Sequence, residues 1–140
     1  MKITESSQLA NSFNVGDILW GCAYAYNQCA DSAADLIQTP IKGILSPCRH
    51  EKDHADAMAN QTKFINYFIP MKKDGKTPSW QKAMKVYTLN YASTEVECCE
   101  MYNETIDANI KWHKSEISKL AKSRIKIPVA QGTLIANGNV

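Results

Sequence analysis

Residues 94–125 carry the longest periodic pattern in the sequence, and they predict one amphipathic helix. Thr94 and Glu97 have the Thr-x-x-Glu spacing of a helix-capping box. The residues that follow recur at steps of three and four, which is the period of one helix face: Cys99, Tyr102, Ile106, Ile110, His113, Ile117 and Leu120. Such a helix is about 45 Å long, which exceeds the width of a small sheet. We therefore expect part of the stripe to be covered by the same helix of a second copy.

The residues before this helix have the patterns of strands. From Ile18 to Tyr26 large side chains alternate with Leu19, Gly21, Ala23 and Ala25, and this predicts a strand whose large face lies in the core. The small face admits two explanations: another backbone or a ligand comes close, or the strand bends to close a small barrel. Three more strands are predicted over 36–45, 64–69 and 82–90. Pro40 would put the second strand at an edge or a bulge.

The predicted fold class is α+β. It consists of a small antiparallel sheet or an SH3-like barrel of four to five strands, followed by one long C-terminal helix. Residues 1–12 are polar and predict a flexible leader whose order depends on docking. We expect residues 13–127 to form a single α+β domain with its β part over 13–91. Residues 128–140 are expected to form a tail that can add a short strand. Residues 46–63 fit either one short helix or a long polar excursion.

Composition excludes several classes of protein. A chain of 140 residues, 44% hydrophobic and 21% charged, has the size of one globular domain. Its sequence contains no apolar run long enough to cross a bilayer and no signal peptide at Met1, so we expect a soluble, cytoplasmic protein. Five cysteines are an odd number without the spacing of a disulfide framework, and we interpret them as reduced.

No pattern in the sequence predicts a catalytic or metal centre. His50 and His54 are four residues apart, but their spacing lacks the His-Glu-x-x-His order and a third ligand. The cysteines include no Cys-x-x-Cys pair. The phosphate-binding and nucleophile motifs of common enzymes are also missing from the sequence, so we expect a protein that is not an enzyme and uses no cofactor or metal.

The sequence does predict a ligand. The helix is acidic in its first half and basic in its second, which the helix dipole explains, but the basic half can also hold an anion between subunits. Aromatic side chains near strand ends can stack on bases. The predicted ligand-binding residues are Arg49, Tyr67, Phe68, Asn90, Tyr91, Lys111 and Arg124. Asn90 and Tyr91 are the first to test, because they precede the capped start of the helix.

Three stretches carry a resemblance to known proteins: Phe13-x-Val-Gly-Asp, residues 67–75 (YFIPMKKDG), and residues 85–95 (KVYTLNYASTE) followed by Met101-Tyr-Asn-Glu. With them, residues 13–120 resemble a group of small phage and prophage proteins in which a short antiparallel barrel or sheet precedes one long helix. By architecture and size the chain is also similar to the anti-Thoeris sponges, which sequester cyclic nucleotide-type immune signals without cleaving them.

The resemblance implies a non-enzymatic counter-defence protein, located in the host cytoplasm if it is phage-encoded. It also implies a homodimer or higher oligomer that sequesters a small anionic nucleotide-type signal at a subunit interface. Two alternatives remain open. One is a nucleic-acid-binding β-barrel module, whose affinity would depend steeply on salt. The other is an inhibitor that covers a host immune protein with its helix face.

Overall fold

The computed structural model describes residues 1–23 and 38–129. Their fold is α+β, as predicted: one antiparallel sheet with a long helix after it. The strands are β1 (Lys2–Ile3), β2 (Ile18–Ala23), β3 (Ile41–Ser46), β4 (Tyr67–Pro70), β5 (Met84–Lys85) and β6 (Leu89–Ala92). The helices are α1 (Leu9–Ser12), α2 (Glu51–Ala59) and α3 (Glu95–Lys122). Tyr24 and Tyr26 at the end of the first predicted strand, Cys29 among the five cysteines, and residues 130–140 of the predicted tail lie outside the described residues.

Within residues 1–23 and 38–129 the sheet has six strands in the order β1-β6-β2-β3-β4-β5, and its two edges do not pair with each other. The prediction of four to five strands was therefore too low, and the alternative of a closed barrel is wrong. β2 lies near the centre, with Gly21 opposite Ile41 of β3 and opposite Tyr91 of β6.

Two predictions about the strands need correction. β3 pairs on both sides, so it is neither an edge strand nor bulged by Pro40, because Pro40 precedes its first residue. The strand predicted over 82–90 is two short strands separated by a 3-10 turn at Val86–Thr88. That turn lets β5 pair with β4 while β6 pairs with β2.

The first twelve residues are part of the fold and not a loose leader. Ile3 pairs opposite Tyr91 of β6, and Leu9 of α1 is completely buried in the main core. The sequence offered little sign of this, because Ile3 and Leu9 are the only buried side chains among residues 1–12 and stand among polar neighbours. Residues 46–63, for which two alternatives were open, contain the short helix α2.

The two faces of β2 explain its alternating pattern. Leu19 is completely buried, whereas Ile18, on the face predicted to be the core, is 53% exposed. The ring of Tyr91 occupies the space beside Gly21: a Cβ added at this glycine would lie 3.2 Å from that ring. The small face therefore receives a neighbouring side chain, and Leu19 on it lies in the larger core cluster. The prediction that the large face lies in the core holds for Cys22, which is buried in a second cluster with Trp20 packed against it, but not for Ile18.

The other face of the sheet packs against the start of α3. Cys22 and Ala92 of the sheet form a second buried cluster with Cys98 and Met101 of the helix. The Cys22 thiol lies 3.7 Å from the Cys98 carbonyl oxygen. The Thr94 hydroxyl accepts a hydrogen bond from the Glu97 backbone N–H at 3.2 Å, so the capping residue acts as predicted.

Within the described residues, contacts group residues 1–109 into one compact unit, and a second unit begins at residue 110, so that α3 contributes to both. In the second unit the stripe residues are exposed: Ile110 by 47%, Ile117 by 65% and Leu120 by 69%. None of the helices in the described ranges is long and apolar enough to cross a membrane.

Candidate functional site

A cleft of about 320 Å³ opens beside the β3–α2 connection and is lined by Arg49, His50, Trp80 and Gln81. We call it the Arg49–Trp80 cleft. It combines a guanidinium group with a half-buried indole ring, which are the two kinds of group that bind aromatic anions. A cavity of about 450 Å³ beside the first twelve residues is larger, but its lining contains no aromatic side chain.

Backbone hydrogen bonds fix the two walls of the cleft. On one side, the Cys48 N–H donates to the Ser46 hydroxyl at 3.1 Å, and the His54 N–H donates to the His50 carbonyl as α2 begins. On the other side, Trp80 begins a 3-10 turn, and the preceding Ser79 N–H donates to the Pro70 carbonyl at 2.7 Å. The end of β3 and the end of β4 therefore position Arg49 and Trp80.

A short chain of contacts holds the indole ring. His54 Nδ1 lies 2.8 Å from the Ser46 hydroxyl oxygen. The His54 ring packs against the Trp80 ring, with centroids 5.1 Å apart and planes inclined at 52°. Burial lowers the pKa of His54 below its usual 6.5, because the charged imidazolium loses hydration there. His54 is therefore held mainly as a neutral ring against Trp80 near pH 7.

Ser46 and His54 have the distance of a nucleophile and its base, but they are not placed to act as one. Ser46 is completely buried, so a substrate cannot reach its hydroxyl. The same oxygen already accepts the Cys48 N–H. The pair therefore positions the Trp80 ring.

The structure separates the residues predicted to bind a ligand. Arg49 lies in the cleft and is exposed. Tyr67 is half-buried at the start of β4, where the Lys85 ammonium donates to its hydroxyl at 2.9 Å and lies 4.5 Å from its ring centre. Phe68 is completely buried, and its ring packs 5.4 Å from that of Tyr91. Phe68 cannot stack on a ligand, so its assignment as a binding residue was wrong.

Tyr91 is also a core residue. It is completely buried, and its hydroxyl donates to the Val86 carbonyl at 2.8 Å. Burial raises the pKa of Tyr91 far above its usual value, because the phenolate would be desolvated. Its neighbour Asn90 lines a different cavity, beside α3. Tyr91 has no surface to offer a ligand, whereas Asn90 remains a candidate.

The two remaining predicted residues, Lys111 and Arg124, lie in the second compact unit and are exposed. Sequence reasoning missed Trp80 as a site residue, although an isolated tryptophan in a polar stretch between Pro78 and Gln81 was a visible signal. His54 was considered only for a metal or acid–base site, and neither was predicted. Its packing against Trp80 joins residues far apart in sequence, and no local spacing reveals it.

The described residues bring no three histidine, cysteine or acidic side chains together as a metal site. Comparisons of the chain with protein-family models, with curated proteins and with solved structures found no match.

Proposed function

We propose that this protein binds a small anionic ligand of nucleotide type in the Arg49–Trp80 cleft and holds it without chemical change. The observation that supports this is the pairing of Arg49 with the half-buried Trp80 ring around a space of about 320 Å³. That volume is within the range of small-molecule sites. The cellular role that we propose for this binding is sequestration of an immune signal, in keeping with the resemblance of the sequence to small phage proteins.

Each part of the cleft has a place in this interaction. A base that stacks on an aromatic side chain gains about 1–3 kcal/mol. The Arg49 guanidinium can donate two parallel hydrogen bonds to a phosphate. Gln81 offers an amide donor and acceptor to a base edge. Because His54 and Ser46 already hold Trp80, less rotational freedom is lost when the ligand binds.

We further propose that two copies associate through the exposed stripe of Ile110, Ile117 and Leu120. These residues are spaced by seven and three, which places them along a narrow seam that suits an identical helix. Residues 110–129 also carry six cations and one carboxylate, Glu116. Two copies would bring like charges together, so the apolar contact has to outweigh that repulsion.

Loss of the Trp80 ring should weaken nucleotide binding. We expect Trp80→Ala to lower the affinity for adenosine monophosphate by about one to two orders of magnitude, because the stacking partner is removed. Isothermal titration with adenosine, cytidine, guanosine and uridine monophosphates measures this. Arg49→Ala should weaken binding of the nucleotides while leaving neutral adenosine unaffected.

Trp112→Ala is the matched control, since Trp112 is 51% exposed and lies in the second compact unit. The proposal is wrong if none of the four nucleotides binds saturably, or if Trp80→Ala leaves their affinity unchanged. Binding to long single-stranded DNA that weakens steeply with salt, in place of nucleotide binding, would instead support the nucleic-acid-binding alternative.

His54 should make the stability of the protein depend on pH. Its pKa is lower in the folded protein than the usual 6.5, so protonation favours the unfolded chain. The free energy of unfolding should therefore be greatest above pH 6.5 and should fall as pH decreases from that value toward the folded pKa. Urea unfolding of the wild type and of His54→Gln over this range checks the expectation, and an identical pH dependence of both proteins contradicts it.

A further inference from the structure

A cavity of about 270 Å³ lies in the first compact unit, where the residues that end α2 meet the segment that follows α1. We call it the Gln61 cavity. Its apolar lining includes Phe13, Val15 and Met58, and its polar lining includes Gln61, Thr62 and Lys63. It shares no lining residue with the Arg49–Trp80 cleft.

The apolar part of the lining remains in contact with water. Phe13 and Val15 are half-buried, and Met58 is 48% exposed. Met58 lies over the turn before β2, since a Cβ added at Gly16 would be 3.1 Å from the Met58 Cε atom. Covering such surfaces with an apolar group is favourable, and the flexible thioether of methionine adapts to the shape of that group. The cavity therefore favours a ligand with a short apolar body.

Gln61 is the unusual member of the lining. Its φ of 56° lies in the left-handed region, and it is the only residue other than glycine with a positive φ in the described ranges. Its N–H donates to the Met58 carbonyl at 3.1 Å, and the Thr62 N–H donates to the Ala57 carbonyl at 2.9 Å, which is the pattern of a Schellman helix end. Glycine is usual at this position because a Cβ is strained there. A side chain retained in such a backbone beside a cavity indicates a use for that side chain.

The polar part of the lining favours a negative group. Lys63 is the only charged residue in it, and this exposed ammonium forms no ion pair within the part of the chain that the structure describes. The nearby Asp17 carboxylate accepts the Asn14 N–H at 2.7 Å and is not part of the lining. The carbonyl groups at the end of α2 already accept the N–H groups of the helix end. The ammonium of Lys63 and the amide N–H groups of Gln61 are therefore the available polar partners.

We propose that the Gln61 cavity binds a small carboxylate that carries a short alkyl chain. The carboxylate accepts hydrogen bonds from the Lys63 ammonium and the Gln61 amide, and the alkyl chain lies on Phe13, Val15 and Met58. This ligand needs an apolar tail, so it differs from the nucleotide-type ligand assigned to the Arg49–Trp80 cleft.

The test is a titration of isotope-labelled protein with sodium hexanoate, followed in NMR through the Gln61 side-chain amide and the Met58 methyl group. We expect a saturable shift of both signals and no shift of the Trp80 indole N–H. Hexan-1-ol, which lacks the charge, should bind at least about tenfold more weakly. Sodium acetate, which lacks the tail, and n-hexylammonium chloride, which has the opposite charge, should cause no saturable shift.

Two variants separate the polar contacts from the fold. Lys63→Met should weaken hexanoate binding by about tenfold or more, because a charge-assisted hydrogen bond is lost. Lys73→Met, at an exposed lysine between β4 and β5 outside the lining, is the matched control and should leave the affinity unchanged. Gln61→Gly should also weaken binding, yet melt about 2–4 °C higher, because glycine adopts the left-handed backbone without strain.

Several results would overturn the proposal. One is the absence of a saturable shift with hexanoate, and another is a shift confined to the Trp80 signal, which would place the carboxylate in the other cleft. Equal affinities for hexanoate, hexan-1-ol and hexylammonium, or wild-type affinity in both Lys63→Met and Gln61→Gly, would do the same. A lower melting temperature of Gln61→Gly would show that the Gln61 side chain supports the fold, which removes the reason for assigning it to a ligand.

Discussion

Phe68→Ala is expected to lower the free energy of unfolding by about 3–5 kcal/mol, the cost of removing a large aromatic side chain from a packed core. Phe68 is completely buried in β4 and packs against Tyr91 from β6. Its ring also fills the space left by Gly43, where an added Cβ would come within 2.5 Å of it. The truncation therefore leaves a cavity in the main core, and urea unfolding would measure the resulting loss of stability.

Phe64→Ala is the control for this variant, since Phe64 lies four residues earlier and is 73% exposed. It should change stability by less than about 0.5 kcal/mol, as surface substitutions usually do. Equal effects of the two variants would contradict the assignment of Phe68 to the core. They would also reopen its earlier assignment to a ligand site.

Ile117→Asp combined with Leu120→Asp is expected to abolish self-association. If the two side chains are buried between two copies of α3, each substitution places an unpaired carboxylate in an apolar seam, at a cost of several kcal/mol per site. Sedimentation velocity at micromolar concentrations should then change from dimer to monomer. Helix content should be retained, because both side chains are exposed within one chain.

Ser115→Asp combined with Ser118→Asp adds the same charge beside the stripe, at positions that are also exposed, and should leave the dimer intact. A wild-type protein that sediments as a monomer would show that the stripe does not mediate self-association. The Arg49–Trp80 cleft would be unaffected by that result, because all four of its lining residues lie in the first compact unit.

The sequence predicted the helix well because its evidence is local. The cap at Thr94 and the repeat from Cys99 to Leu120 act over one or two turns, and the observed helix, Glu95–Lys122, lies within the predicted range. The predicted face was wrong at its start, because Cys99 is exposed and the buried side chains are Cys98, Met101 and Thr105. The fold class followed from the change of period before residue 94. Strand number and order did not follow, because pairings such as β1 with β6 join residues about 90 positions apart.

The predicted site was only partly useful for a related reason. Arg49 and Asn90 line cavities, whereas Phe68 and Tyr91 are buried in the core. An aromatic residue in a strand has the same local pattern whether it faces a ligand or the core. Only the fold distinguishes them, through contacts such as the one between Tyr91 and Gly21.

The pairing of β1 with β6 has a consequence for the order in which the chain folds. Residues Lys2 and Ile3 are made long before their partners Ala92 and Tyr91, so the ribosome must complete the rest of the sheet before this edge can close. Until β6 is in place, the core cluster that buries Leu9 is incomplete. The N-terminal segment therefore cannot join the sheet before β6 has been made, and its two-residue ladder, like the one between β4 and β5, is expected to open before the longer ladders.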